Sequence, residues 1–555
     1  MKKFFLKILL RVFPILGNQL ALVFLLTILG AYFRFWGIWE YHFSADDIIR
    51  LTIASANSFG DFIERNSVDT HPPLVYIFLK ILLSLNFNDL FLRFVSLIPG
   101  VFLIPLSYFL AKEMFDKKVA IIFCFFSAFG YGLILVSQSL RQYMLSLLFL
   151  EISIYYLVRF SKSKASKDLW LHLFFGFISV TGHYLMLITL FAFQVVYILP
   201  IFAVSKFKKS YLVAFGLFCL LIISFLAFSF LYQGQSQWAL SSTHQRSARM
   251  EWLATGYPSR FLEFLNSFIM IFSYFSIPLY NFDHLAILIF VIFAFLFGFW
   301  NFLKDRDYKL LLVFLIVLIL QVFMTMYKLY PFSGTRHAIH IYIPMMLITS
   351  FGLVRLLIWL AGALSAKSEF VCSAGLIFMI LFNLFFAISN NFYRDNLIAS
   401  MEFSVTKSQV QNYLDFLNIN IQDKDIIICD RQTGLFFGYL NGGLSTKDFV
   451  SDFGQTTFLG KVPIYFSNDW GFVHNIQDHY KSSYEYGISK IDYLPTRVWL
   501  LSLGWSNFHL GEVFLRLRSE EFAILYPSEN QGYYSNAYAV ALPIDKIEMV
   551  FAGFN

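Results

Sequence analysis

The chain has 555 residues, 58% hydrophobic and 20% aromatic against 14% charged, with a mean hydropathy of +0.64. These values lie far outside the soluble globular range and identify an integral membrane protein. The net charge of +7 does not point to nucleic acid, because the lysines and arginines are scattered among short loops rather than gathered into one basic stripe.

Spanning helices need roughly 17 to 25 mostly apolar residues, and lysine and arginine concentrate in cytoplasmic loops. Lys2, Lys3, Lys7 and Arg11 therefore place the N-terminus in the cytoplasm. Residues 19–36 lack a small-residue cleavage site and read as a retained signal anchor. The outer loop 40–90 follows, and within it residues 74–85 are too short to cross and predict an amphipathic or re-entrant helix at the interface. Residues 92–110 return to Lys112, Lys117 and Lys118; residues 119–136 exit, and 144–158 come back to Arg159, Lys162, Lys164 and Lys167. Residues 169–180 lead out to His183 and Tyr184, 185–204 return to Lys206, Lys208 and Lys209, and 211–231 reach an outer loop over 232–283. Inside that loop, residues 261–277 predict an interfacial helix, since a full span would put Lys304, Arg306 and Lys309 outside. Spans over 285–302, 310–327, 338–353 and 370–388 complete a path of about eleven helices with the C-terminus outside.

From residue 391 the composition turns to that of a soluble domain. A helix over 408–417 and strands over 426–428, 498–503 and 537–542 predict one small α/β domain. A weaker strand over 462–466 is assigned to a sheet edge by Pro463. The expected organisation is a transmembrane domain over residues 1–390 and an extracytoplasmic α/β domain over 391–555. Cys124, Cys219, Cys372 and Cys429 are far apart and form no disulfide framework or CxxC metal pattern.

Helix parity gathers the polar residues of interest at the outer surface. Asp46-Asp47 can be a solvated helix cap behind Ser44, or an acidic pair at an apolar boundary with one raised pKa, suited to a general base. In Asp69-Thr70-His71-Pro72-Pro73 the two prolines forbid helix continuation and hold His71 on a rigid turn. Arg93, Arg141 and Arg336 each stand at an outer helix end. Snorkelling is the ordinary explanation, but outer arginines run against the positive-inside rule and match phosphate oxygens bidentately. His183, Tyr184 and His337 lie at a similar depth, where aromatic-belt residues are common. Glu151, two turns into its helix, is an intramembrane acid and a functional candidate by default.

At these residues the chain resembles the polyprenol-phosphate-dependent membrane glycosyltransferases of the GT-C class, in particular the bacterial relatives of protein O-mannosyltransferases and aminoarabinose transferases, the family 39-like group. The motifs are the acidic pair Asp46-Asp47, then His71-Pro72-Pro73-Leu74, then Leu92-Arg93 with Ser96 and Gly100. Ser137-Gln138-Ser139-Leu140-Arg141-Gln142-Tyr143, His183-Tyr184, and Arg336-His337 with Pro344 follow in order. The likeness is strong over residues 36–160 and weak beyond, to Pro344.

The resemblance implies an enzyme of the bacterial inner membrane that moves a sugar from a polyprenyl-phosphate carrier to a lipid, glycan or protein acceptor on the outer face, with inversion. It implies Asp46 as general base, with Asp47 positioning it or binding sugar hydroxyls. Arg141 and Arg336, helped by Arg93, would bind the donor phosphate, and His71, Tyr143, His183, Tyr184 and His337 would line the pocket. The resemblance requires no particular cofactor and leaves room for a divalent metal beside Asp46 and His71, which some relatives do without. Two departures stand out: Asp47 replaces the usual Glu, and Ser139 replaces a Glu of many relatives, for which Glu151 is the substitute on offer. The rival readings are a lipid-linked-oligosaccharide flippase or other transporter, which usually shows repeated halves and broken midplane helices, and a non-catalytic assembly protein on the same fold. The tail domain and the loop 232–283, with Trp238, His244, Arg246, Arg249 and Trp252, are expected to choose the acceptor.

Overall fold

A computed structural model of the chain describes residues 19–40, 42–67, 69, 71–203, 209–233, 257–276, 282–327, 330, 332, 335–365, 367–368, 371, 374–381, 406–441, 448, 453–458, 461–467, 476–503, 524–526, 537–547 and 551. The membrane part opens with α1 (Gln19–Phe35), and the following loop folds as four short helices, α2 (Ala45–Ala54), α3 (Phe59–Ser67), α4 (Leu74–Ser84) and α5 (Asp89–Leu92). Then come α6 (Phe94–Met114), α7 (Lys117–Phe129), α8 (Tyr131–Gln138), α9 (Tyr143–Ser163), α10 (Ser166–Gly182), α11 (Met186–Tyr197), α12 (Leu199–Ala203) and α13 (Lys209–Gln233). The series ends with α14 (Tyr257–Phe275), α15 (Phe282–Asp305), α16 (Lys309–Met326), a 3₁₀ turn at Arg336–Ile341 and α17 (Tyr342–Ala363).

Among the described residues, 6 helices are long and apolar enough to cross a bilayer, or 7 if the bent pair α7–α8 counts as one span. Other apolar stretches, α1 and the run through α11 and α12 among them, are shorter. The expected span over 370–388, the basic N-terminus and the tryptophans and basic residues of the loop 232–283 lie wholly or largely outside the described residues. The 21 residues of α6 and of α9 each cover about 30 Å at 1.5 Å per residue. They separate two ends of the bundle: Asp46, His71, Arg141, His183 and His337 at one, Lys112, Lys162, Lys164 and Lys309 at the other.

Two features of the membrane part depart from the sequence expectation. The span predicted over 119–136 is broken at Gly130, where α7 and α8 meet at 48°. A Cβ at Gly130 would lie 2.7 Å from Phe126 O and 2.9 Å from Phe275 O, and one at Gly132 would overlap the Tyr274 ring. These bare positions let the end of α14 press into the bundle. Phe272 and Phe275 are fully buried there, so this half of α14 packs inside rather than lying on the interface. The break leaves carbonyls of α7 without helical partners. The buried Arg34 guanidinium fills that need, donating to Ser127 O at 2.7 Å, Ala128 O at 2.9 Å and Gly30 O at 2.9 Å.

The tail comprises α18 (Lys407–Asn420), β1 (Ile426–Cys429), α19 (Arg431–Leu440), β2 (Phe453–Phe458), β3 (Val462–Ser467), α20 (Ile476–Ile488), β4 (Arg497–Leu503), β5 (Ile524–Tyr526) and β6 (Ala537–Pro543). They form a six-stranded sheet in the order β2-β3-β1-β4-β6-β5, parallel at β3-β1-β4 and antiparallel outside. Strand alternation splits the core into two faces. Ile427, Cys429, Trp499 and Leu501 pack under α18 and α19; Ile426, Ile428, Val498 and Leu500 pack against Tyr480 of α20. β3 is an interior strand, not the edge that Pro463 suggested. Pro463 pairs only with Thr457 of β2, and the ladder to β1 starts one residue later at Ile464, so the missing N–H costs no bond there. The first face does not stop at the domain boundary. The same apolar cluster runs on through Phe436 and Phe437 into Phe43, Ile48 and Leu140 of the membrane part.

Candidate active site

The acidic pair divides its work. Ser44 caps α2 in a reciprocal capping box, accepting from Asp47 N–H at 3.3 Å while its own N–H donates to Asp47 Oδ2 at 3.1 Å. The other Asp47 oxygen accepts Leu140 N–H at 2.9 Å. Asp47 is thus fully buried, with each oxygen accepting a backbone N–H. This geometry gives it a positioning part: it locks α2 to the loop that carries Arg141.

Asp46, one residue earlier, faces the site. Its Oδ2 lies 2.9 Å from Arg141 Nη2 and 3.1 Å from Arg336 Nη2. Burial alone would raise this carboxyl, but Arg141, then Arg336 and Arg50, outweigh it and hold Asp46 well below the usual carboxylate range. The expected raised pKa is therefore reversed, because three cations converge on a group that sequence shows only beside an acid.

The loop at residues 137–142 is shaped from below by one face of α6. Arg93, Ser96 and Gly100 recur at helical spacing, i, i+3 and i+7. Arg93 donates to Gln138 O at 2.7 Å and His42 O at 3.1 Å, with its guanidinium 4.7 Å above the Phe43 ring. Ser96 Oγ donates to Arg141 O at 2.7 Å and accepts Arg141 N–H at 3.2 Å. A Cβ at Gly100 would lie 2.3 Å from Ser137 Oγ, so only glycine lets the loop seat this low. Arg93 is accordingly a buried clamp rather than a partner of Arg141 and Arg336 at the carboxylate. Ser139 is buried, with its hydroxyl donated to Val136 O at 3.2 Å. Glu151 does not replace an acid there: it lies eight residues down α9, about 12 Å from Tyr143 along the axis, beside Ser107 of α6.

The rings gather beside the carboxylate. His71 Nδ1 is 2.8 Å from Asp69 Oδ1, and Tyr76 OH donates to the other Asp69 oxygen. Burial, opposed by Asp69, pulls His71 below its ordinary value, so at neutral pH the imidazole is neutral and its Nδ1–H donates to Asp69. The His71 ring is 6.4 Å from that of His183, which is 4.9 Å from Tyr143 and 6.3 Å from Tyr330. Tyr330 shares a hydrogen bond of 2.8 Å with His337 Nδ1. Tyr184 turns aside, its ring 5.9 Å from Phe225 of α13. Arg50 and Tyr330 are residues the sequence reading passed over. Arg50 stands one turn after Asp46 on α2, donating to Asp46 O and, at 3.4 Å, to Gln142 Oε1; the i, i+4 spacing was the signal for it. The metal ligands on offer, Asp46 and His71, are turned to the arginines and to Asp69. Among the described residues, no three His, Cys, Asp or Glu groups come together to hold an ion.

Residues 70–228 match the family model described as dolichyl-phosphate-mannose-protein mannosyltransferase, a stretch that includes His71, Arg93, Arg141 and His183 but neither Asp46 nor Arg336. No curated protein matches the sequence. Among solved structures, ArnT from Cupriavidus metallidurans bound to undecaprenyl phosphate is similar at a TM-score of 0.50 and 11% identity, over 94% of this chain and 97% of that one. The archaeal oligosaccharyltransferase AglB from Archaeoglobus fulgidus, in complex with an inhibitory peptide and a dolichol-phosphate, matches at a TM-score of 0.46 and 12% identity, over 87% of this chain and 69% of that one. The chain has the GT-C fold seen in ArnT, and residues 70–228 carry the pattern of the mannosyltransferase family model.

Proposed function

We propose that this protein is a glycosyltransferase that moves a sugar from a polyprenyl-phosphate carrier to a hydroxyl or amine of a lipid, glycan or protein acceptor on the outer face of the membrane. One observation carries the reading: Arg141 and Arg336, from helix ends far apart in sequence, meet on the single carboxylate of Asp46. Such a pair of guanidinium groups suits a phosphate monoanion or dianion, and the carboxylate beside it suits a proton acceptor.

In the proposed reaction the acceptor oxygen or nitrogen attacks the anomeric carbon while the bond from that carbon to the phosphate oxygen breaks. A single in-line displacement inverts the anomeric centre. Polyprenyl phosphate leaves with the electron pair, and Arg141 and Arg336 stabilise its growing charge. Asp46 takes the acceptor proton. Once the donor phosphate engages the two guanidinium groups, their hold on Asp46 is shared, and burial is left to raise the carboxyl toward the range a base needs. Donor binding would thus switch the base on.

Replacing Asp46 with Asn tests this. Transfer from a polyprenyl-phosphate sugar should fall by about 10² to 10⁴, at unchanged protein abundance. Affinity for the bare polyprenyl phosphate should rise, because the arginines lose their resident anion. Retained transfer would reject Asp46 as the base.

A further inference from the structure

The opposite end of the bundle holds a cavity of about 820 Å³, walled by the ends of α6, α9, α11, α13, α15 and α16. Its size is ordinary for a ligand site, and its wall mixes apolar residues such as Val158, Val196 and Leu310 with lysines, hydroxyls and one acid, Asp307. Lys162, Lys164 and Lys309 line it. Lys162 is committed to Glu113, 3.0 Å from its Oε1. Lys164 and Lys309 form no ion pair among the described residues.

Lys164 is fixed by its backbone. It closes α9 in a left-handed conformation at φ 56°, donating its N–H to Phe160 O at 2.9 Å, while its carbonyl accepts Tyr211 OH at 2.7 Å. Lys309 Nζ lies 5.9 Å from the Tyr197 ring centroid. The two ammonium groups are near enough for Lys309 to add to the burial that lowers Lys164. The Lys164 ammonium donates to Ser161 O and Lys309 lies beside the Tyr197 ring, but neither meets an acid within ion-pair distance among the described residues, and both line one concave space where an anion fits against them. Beside the lining residues Tyr211 and Pro200, the bundle surface turns apolar: Leu199, Leu212 and Val213 are each more than half exposed and face the lipid. A ligand held here by its charge has a greasy exit for its tail.

We infer that this cavity binds the phosphate of an anionic phospholipid from the leaflet at the basic end of the bundle, with Lys164 and Lys309 as its ligands and the acyl chains leaving along α12 and α13. Basic pockets between membrane helices suit such headgroups. The site is separated from Asp46 by the length of α9, so the inference does not rest on the proposed sugar transfer.

The test is native mass spectrometry of the full-length protein in detergent, titrated with phosphatidylglycerol or phosphatidylcholine of matched chains. Wild type should retain phosphatidylglycerol preferentially. Lys164→Gln and Lys309→Gln should each weaken that retention by about fivefold, and the Lys164→Arg, Lys309→Arg double variant should keep it. Equal retention of both lipids, or retention unchanged in the Lys164→Gln, Lys309→Gln double variant, would overturn the proposal. Loss of bound phosphatidylglycerol to millimolar inorganic phosphate would reassign the site to a free anion and overturn the lipid assignment. If Lys164→Gln did not fold, Lys309→Gln and a cavity-filling Val196→Trp, each expected to reduce retention, would decide the same question.

Discussion

The two ends of the bundle use different cations in different ways. At the end that carries Asp46, the cations around the carboxylate and its loop are arginines: Arg50, Arg93 and Arg141 are buried and Arg336 nearly so, and each is fixed by a carboxylate or by backbone carbonyls. At the other end they are mostly lysines near helix ends, and three of them, Lys162, Lys164 and Lys309, line one cavity. A planar guanidinium holds a geometry, whereas an ammonium on a flexible stem supplies a field. The difference separates charges that shape a site from charges that orient a chain in a membrane.

Swapping the two cation types should break the symmetry that sequence alone suggests. Arg141→Ala should lower transfer by about 10² to 10³, the cost of losing one preorganised donor to developing charge. Arg141→Lys should recover little of it, because the bidentate fork is gone. The reciprocal Lys164→Arg should leave the transfer rate unchanged in a radiolabelled-sugar assay. An Arg141→Lys variant with wild-type donor dependence would erase the distinction.

A second way to sharpen it uses acidity. Asp46 in the free enzyme is held well below the usual carboxylate range, so it stays ionised through mildly acidic pH and its acid limb in kcat/KM lies below about pH 4. Arg336→Ala removes one of the cations that oppose burial. The sign is fixed: burial then weighs more, the carboxyl rises, and the acid limb of kcat/KM moves up by about one pH unit. A limb that stays in place would mean that Arg336 does not act on Asp46.

Much of this end could be read from the chain. The alternation of basic and uncharged loops placed Asp46, His71, Arg141, His183 and His337 at a common level, and the family resemblance singled out Arg93, Ser96 and Gly100. What those residues touch could not be read. Arg93 looks like any guanidinium at a helix end until Gln138 O and His42 O are seen to converge on it. Asp47 looks equivalent to Asp46 until the capping box and Leu140 N–H are seen to tie both its oxygens to backbone. The break at Gly130 was hidden for a related reason, since an apolar run reads the same whether straight or bent. In the tail, Pro463 signalled an edge because hydropathy cannot tell which ladder its position joins.

The ends also differ in cover. The tail domain rests on the site end: Phe436 of α19 stacks edge-on to His42 at 5.0 Å, Tyr439 meets Phe43 at 6.1 Å, and Lys407 N–H donates to Glu40 O at 2.9 Å. These contacts press on the segment entering α2, and so on the aim of Asp46. Phe436→Ala should therefore lower kcat several-fold with little change in donor affinity, and should make the tail more open to limited proteolysis. An equal loss in kcat and in donor binding would place the effect in the arginines instead.

Glu151 lies between the ends and supplies the smallest effect. Both of its oxygens are buried and no ion pair reaches it among the described residues, with Ser107 and the Cys124 side chain as neighbours. Gln has the same shape and can offer a hydrogen bond to a neighbouring hydroxyl, so Glu151→Gln should leave transfer within about twofold of wild type and change packing little. Were Glu151 the displaced counterpart of the acid absent at Ser139, the substitution would instead cost as much as Arg141→Ala. The geometry argues against that, because a side chain eight residues below Tyr143 reaches the hydroxyls of α6 and not the carboxylate–arginine cluster.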